Sequence, residues 1–265
     1  MQHAAAVASF GYHDVADDPT ASGLQRPGAL PYKLTGSMFA RHLAEIAAGP
    51  CPPALITQLD LTQPGRHLLL TFDDGGRSAL HAGEELARRG WKGHFFIVTN
   101  RIGQREFLDA GDIRHLRQCG HVIGSHSHTH PNVFRELEWG RMLEEWRVSR
   151  DCLAQLLGEA CTVASVPGGD ISDRVLESAG QTELQHLFTS EPTVTPQRVG
   201  GCWILGRFVA KATTPDWRVR QLAQFRGWGS AMLVRRVKNG ARLLLPGLYR
   251  RYLRHQTAPF AERNH

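Results

Sequence analysis

Two stretches of the chain concentrate groups able to do chemistry. In His67-Leu68-Leu69-Leu70-Thr71-Phe72-Asp73-Asp74-Gly75-Gly76, an apolar run ends in two carboxylates and two glycines. The run has the length of a buried strand, and the glycines stop it. Successive strand residues point to opposite faces, so Asp73 and Asp74 share one pocket only where the strand is already breaking. At such an end one carboxylate can bind a cation while the other stays free as a base. Asp-Gly is also an ordinary solvated turn. The second stretch, Gly120-His121-Val122-Ile123-Gly124-Ser125-His126-Ser127-His128-Thr129-His130-Pro131, again ends an apolar run in polar residues. His126 and His130, four apart, face one metal if the chain turns after the strand. Imidazole and carboxylate together suit zinc or a similar divalent ion. The plain alternative is a His-rich surface loop, but this cluster follows a strand just as the aspartates do.

Seven short apolar runs must position these groups: Ala5–Tyr12, His67–Phe72, His94–Thr99, His121–Ser125, Thr162–Val166, His186–Thr189 and Trp203–Val209. Helix-like stretches lie between most of them. Gly36–Ile46 carries Phe39, Leu43 and Ile46 at helical spacing, Ser78–Arg89 is stopped by Gly90, and Asp112–Gly120 and Val133–Glu159 follow. Alternating strands and helices predict a parallel sheet. The polar residues gather at the C-terminal ends of the runs, where β/α barrels carry their active sites.

Thr71-Phe72-Asp73-Asp74-Gly75 resembles the first motif of the polysaccharide deacetylases with a NodB-type domain (carbohydrate esterase family 4), and Ser125-His126-Ser127-His128-Thr129-His130-Pro131 resembles the second. The resemblance extends from about Ala6 to Lys211. It implies an α/β fold, the distorted (β/α)7 barrel of that family, over residues 1–212. A basic amphipathic helical segment would occupy 213–265. It also implies that Asp74, His126 and His130 hold one divalent metal, zinc by default, and that Asp73 is the general base. The implied reaction removes an acyl group, usually acetyl, from an acetylated saccharide. The ion would polarise the acyl carbonyl and acidify the attacking water. His13, in Gly11-Tyr12-His13-Asp14-Val15, matches a first-strand signature whose histidine faces the substrate groove.

The chain departs from the family in three places. The third motif, usually Arg-x-Pro-x-Gly, reads Ser165-Val166-Pro167-Gly168-Gly169. Ser165 stands where the family has the arginine that orients the base, and Arg207 on the seventh run is the candidate substitute. Gly168 still offers a backbone N–H to an oxyanion, unobstructed by a side chain. Neither an Asp-x-x-Asp-Trp stretch nor the Leu-x-His that protonates the leaving group is present, so His13 and His128, and after them Asp170, are the candidate acids. These losses also allow a second reading, a saccharide-binding or regulatory protein on a degenerate barrel.

Composition bounds the rest. At 265 residues the chain can bury one large core. Five cysteines without a Cys-x-x-Cys pair give neither a disulfide framework nor a thiolate zinc site. No stretch has the signature of a secretory signal or the length of a membrane span, which points to the cytoplasm. Arg207–His265 holds 13 Lys/Arg against 2 Asp/Glu, and the remainder holds 18 against 23. Leu233, Val234, Val237 and later Leu243, Leu244 and Leu248 lie beside these cations. A basic amphipathic helix suits an anionic membrane, which would place the protein peripherally at the inner membrane face. The same helix could instead be the last one of the barrel. No nucleic-acid module accompanies the charge.

Overall fold

The computed structural model of the chain describes residues 5–169 and 171–244, with side chains up to Val237. Asp170, the side chains of Leu243 and Leu244, and the basic stretch beyond Leu244 lie outside the described residues. The strands are β1 (Ala6–Tyr12), β2 (Asp14–Val15), β3 (Lys33–Leu34), β4 (Arg66–Phe72), β5 (His94–Ile97), β6 (Val122–Ser125), β7 (Val163–Ser165), β8 (His186–Phe188), β9 (Gln197–Val199), β10 (Cys202–Leu205) and β11 (Phe208–Val209). The helices are α1 (Gly36–Ala47), α2 (Ala79–Ala87), α3 (Ala110–Gln118), α4 (Trp139–Leu157), α5 (Asp173–Gly180), α6 (Asp216–Ala223) and α7 (Trp228–Leu244).

The large sheet runs β11-β1-β4-β5-β6-β7-β8-β10-β9 and is parallel except for the β9–β10 pair. The seventh apolar run, expected as one strand, is therefore two. β10 pairs with β8 and β11 pairs with β1, far apart in the sheet order although only Gly206 and Arg207 separate them. Two residues cannot span an open nine-stranded sheet, so these margins meet, and the sheet curls into a distorted barrel with its seam at Arg207. Gly206 is required at the seam, because a Cβ there would collide with the Glu191 carbonyl.

Strand periodicity sorts the core. On β1 and β4, Ala8, Phe10, Tyr12, Leu68, Leu70 and Phe72 pack outward against Phe39, Leu43 and Ile46 of α1 and Val219 and Leu222 of α6. Val7, Leu69, Phe96, Val163, Phe188 and Leu205 form a second cluster on the opposite face, inside the barrel. Each helix forms for a local reason. Thr35 caps α1, and Asp109 with Asp112 makes a reciprocal capping box on α3, a residue or two ahead of the expected start. The long helix expected from Val133 begins only at Trp139, after a 3-10 turn at Phe134–Glu136. Its Met142 and Trp146 are buried, as packing residues should be.

The C-terminal helix divides its faces unexpectedly. Trp228 and Ala231 are buried, with Trp228 edge-on to Phe10, whereas Leu233, Val234 and Val237 are more than half exposed. The basic Arg235 turns inward, donating from Nε to Glu191 Oε1 at 2.8 Å and from Nη2 to the Gly169 carbonyl.

Candidate active site

Period two places the first of the chemical groups. Leu69 faces the barrel interior, so Thr71 and Asp73 share its face, and by the same count Gly124 is followed by His126 and Val163 by Ser165. Three strand ends thus deliver Asp73, His126 and Ser165 to one point. Asp74 would diverge, but its φ is +73°, and this left-handed residue breaks the strand and turns its carboxylate to the same side as Asp73. Ser127 at φ +64° and His130 at φ +55° make a second sharp turn, which brings His130 back beside His126. Glu145, buried on α4, holds that turn by accepting from the N–H and the hydroxyl of Thr129 at 2.8 and 2.7 Å.

One atom each from Asp74, His126 and His130 lies within 4.8 Å of the others, and all three residues are buried. Nε2 of His126 and Nε2 of His130 lie 3.3 and 3.5 Å from Asp74 Oδ1, a buried oxygen with no hydrogen-bond partner. On His126, Nδ1 faces the Ser165 carbonyl at 3.1 Å and Ser165 Oγ at 2.6 Å. A carbonyl only accepts, so Nδ1 carries the proton and Nε2 presents a lone pair toward Asp74. Burial pushes His130 down to about 3 against the pull of Asp74, leaving that imidazole neutral. Two imidazole lone pairs and an orphaned carboxylate oxygen, withheld from water, fit a divalent cation.

Asp73 is held by a different set of groups. Arg207, fully buried, donates from Nη1 to Oδ1 at 2.7 Å and from Nη2 to Oδ2 at 2.9 Å. The same guanidinium reaches Thr71 Oγ1 and the Thr189 carbonyl, both at 3.0 Å, and sits 5.8 Å over the rings of Phe96 and Phe188. Ser165 Oγ donates to Asp73 Oδ1 at 3.0 Å. Burial pushes the Asp73 carboxyl up, but Arg207, then His126 and His13, outweigh it and bring it down to about 2.

The remaining candidates are scattered round the mouth. His13 stacks on Tyr32 with ring centres 4.8 Å apart, and its Nδ1 is buried without a partner. Its charge acts on both Asp73 and Asp74. His128 stands apart from the triad, its Nδ1 2.9 Å from Thr99 Oγ1. Gly168 has φ +63°, and the space where a Cβ would sit is open to 3.9 Å. Three participants carried no motif. Ser165 was legible only as a lost arginine, although its inward register could have found it. Glu145 and Arg26 reach the site through tertiary packing alone. Arg26 lies 3.4 Å from His130 Nδ1 and 3.2 Å from Asn132 Oδ1.

Residues 60–187 match the sequence profile of the family described as polysaccharide deacetylase. YxkH of Bacillus subtilis, whose name places it among polysaccharide deacetylases, is 26% identical over 144 residues, 54% of this chain and 51% of YxkH. Peptidoglycan-N-acetylglucosamine deacetylase PgdA of Listeria monocytogenes is 24% identical over 173 residues, 61% of this chain and 36% of PgdA. The chain thus spans about half the length of one curated relative and about a third of the other. BC0361, a polysaccharide deacetylase from Bacillus cereus, shares the fold with a TM-score of 0.69 at 17% identity, over 83% of this chain and 69% of that one. The matched segment, just under half of the chain, contains the paired aspartates, both metal histidines and Ser165, and over it the chain is similar to the polysaccharide deacetylases, whose fold it shares.

Proposed function

We propose that the protein is a metal-dependent hydrolase that removes an acyl group, N-acetyl by preference, from a saccharide. The observation that carries this reading is the pairing of a metal triad with an independently held carboxylate. Asp74, His126 and His130 point three donors at one another, while Asp73 is occupied by Arg207 and Ser165. A binding protein on a degenerate barrel has no need of the second feature.

Asp74, His126 and His130 would hold the ion, and the two-nitrogen, one-oxygen donor set supports zinc. Once bound, it supplies Lewis acidity to the acyl carbonyl and to water. Asp73 takes the proton of the attacking water, and Arg207 keeps that carboxylate ionised and fixes its direction. The Gly168 N–H, on a turn clear of side chains, is offered to the charge that develops on the acyl oxygen. The proton returned to the leaving nitrogen is assigned to His13 rather than His128. The former has an unpartnered Nδ1 and acts on both aspartates, whereas the latter is committed to Thr99.

Acetate release from N-acetylated oligosaccharides, with and without chelator, tests the reading. Asp73→Asn should retain the metal and lose about 10²–10⁴ in rate. Release that survives both chelator and Asp73→Asn would remove the assignment.

The exposed Leu233, Val234 and Val237 on a basic segment support a further element of the proposal, reversible association with an anionic membrane. A lipid-linked saccharide would meet the site there, and we place that encounter at the inner membrane face.

A further inference from the structure

The turn after β7 has little to hold it in shape by itself. Gly168 and Gly169 both have positive φ, +63° and +62°, and glycine loses more conformational freedom on ordering than any other residue. Within the turn the Gly169 N–H reaches the Val166 carbonyl only at 3.3 Å, past the usual range of such bonds. The turn leans on the segment after β8. Ser190 Oγ occupies the space beside Gly169, 2.5 Å from where a Cβ would sit.

A further hold comes from the C-terminal helix. Trp228, Ala231 and Arg235 follow one another at i, i+3 and i+7, a single stripe of α7. Trp228 roots that stripe, edge-on to Phe10 and donating from Nε1 to the Leu222 carbonyl at 3.0 Å. Two turns later the Arg235 guanidinium reaches two loops at once. Its Nη2 donates to the Gly169 carbonyl, and its Nε donates to Glu191 Oε1 at 2.8 Å. The side chains of this ion pair are only 17% and 16% exposed, so the contact is not a solvated surface pair. Glu191 is tied in turn to the clasp on the base. Its carbonyl accepts from the Arg207 N–H at 2.9 Å, and the Thr189 carbonyl accepts from Arg207 Nε at 3.0 Å. One guanidinium therefore joins the turn that presents the Gly168 N–H to the segment that seats Arg207.

We propose that Arg235 is a positioning residue for the hydrolysis: by clamping the Gly169 carbonyl to Glu191 it holds the Gly168 N–H where charge develops on the acyl oxygen. This rests on the deacetylase reading above, in which that N–H serves the oxyanion. Such a donor is effective because it is already aimed when the charge appears, and a two-glycine turn free to swing would have to be ordered at the barrier. Arginine suits the task, since its rigid fork can engage two acceptors at once where a lysine offers a single point charge. In sequence Arg235 is one cation among several on a basic helix, and only its inward stripe separates it from its exposed neighbour Arg236.

The test uses the zinc-loaded full chain and has two arms. In the first, acetate release from N-acetylated oligosaccharides is followed for the wild type, Arg235→Ala, Arg235→Lys and Glu191→Gln. Removing an oxyanion donor costs about 10²–10³ in kcat, and loosening one should cost less, about tenfold for Arg235→Ala, with KM little changed. Arg235→Lys and Glu191→Gln should fall between, and Arg236→Ala, which removes an exposed charge from the same helix, should stay near the wild type. In a Gly168→Ala background, Arg235→Ala should add little, because both act through one N–H. In the second arm, 15N relaxation of the Gly168 and Gly169 amides should show order parameters near about 0.85 in the wild type, falling toward about 0.6 in Arg235→Ala. Metal content and thermal midpoint, measured alongside, separate a loosened turn from lost folding. Unchanged order parameters in Arg235→Ala, a loss confined to KM, or effects of Gly168→Ala and Arg235→Ala that simply multiply overturn the proposal. Absence of acetate release from every sugar would remove the deacetylase reading and with it the purpose of the clamp, while the relaxation data still record whether Arg235 holds the turn.

Discussion

Arg207 clasps Asp73 across 134 residues of chain, through two hydrogen bonds of 2.7 and 2.9 Å at the seam of the barrel. The pair is buried, so the arrangement is costly to break from one side. Arg207→Ala should cost about 3–5 kcal/mol of stability, because it strands a carboxylate out of water. With its counter-charge gone, Asp73 should titrate higher, and the acid limb of the pH–rate profile should move up. Arg207→Lys, which keeps the charge but not the fork, should fall between. A profile unchanged in both variants would show that Asp73 is not the base.

Ser165 performs two tasks, since it bonds both Asp73 and His126. Ser165→Ala leaves the Ser165 carbonyl for His126 Nδ1 but removes the link between base and ligand. Loss of such an outer partner typically costs about 10–100-fold in metal affinity or activity. Competition with a metallochromic chelator should register a change of that size for zinc. Asp74→Asn, by contrast, removes the anionic donor itself and should abolish occupancy by elemental analysis.

Acid should destabilise the protein well before its carboxylates protonate. His94 accepts from the Ile56 N–H at Nε2 and places Nδ1 2.9 Å from the Leu70 carbonyl, a fully buried neutral ring. Burial brings it down to about 4, and His121 and His186 behave alike. A histidine depressed in the folded state contributes stability that is complete above the unfolded value of about 6.5 and is lost as pH falls toward 4. For His94 alone the loss is on the order of 3 kcal/mol. Urea midpoints between pH 7 and pH 4.5 should decline accordingly. An NMR titration in which the His94 ring protonates near 6.5 would contradict the assignment.

The membrane proposal is best tested without truncation, because Arg235 of α7 binds the Gly169 carbonyl and Glu191 beside the active site. Leu233→Glu and Val237→Glu alter only exposed positions. The wild type should sediment with anionic vesicles at low salt and dissociate as salt rises, and each substitution should weaken binding severalfold. Indifference of the full chain to anionic vesicles would make the exposed face an ordinary surface.

The chain offered its candidate metal groups locally, because Asp73-Asp74 and His126-to-His130 are patterns at the ends of apolar runs, while the division of the two aspartates into ligand and base came from the family resemblance. It also announced the parallel strand–helix alternation and the apolar face of α1 formed by Phe39, Leu43 and Ile46, since these follow from local strand and helix patterns. The split of Trp203–Val209 was invisible in sequence. Its residues read as one apolar strand, and only curling of the sheet decides that β10 and β11 serve different neighbours. That same closure carries Arg207 to Asp73, so a partner that local sequence could offer only as a candidate acquires its geometry from the barrel. Ser165, Glu145 and Arg26 lay hidden for a related reason. Each acts through one or two hydrogen bonds to residues distant in the chain, and no local pattern encodes a contact whose other half is set by how the sheet closes.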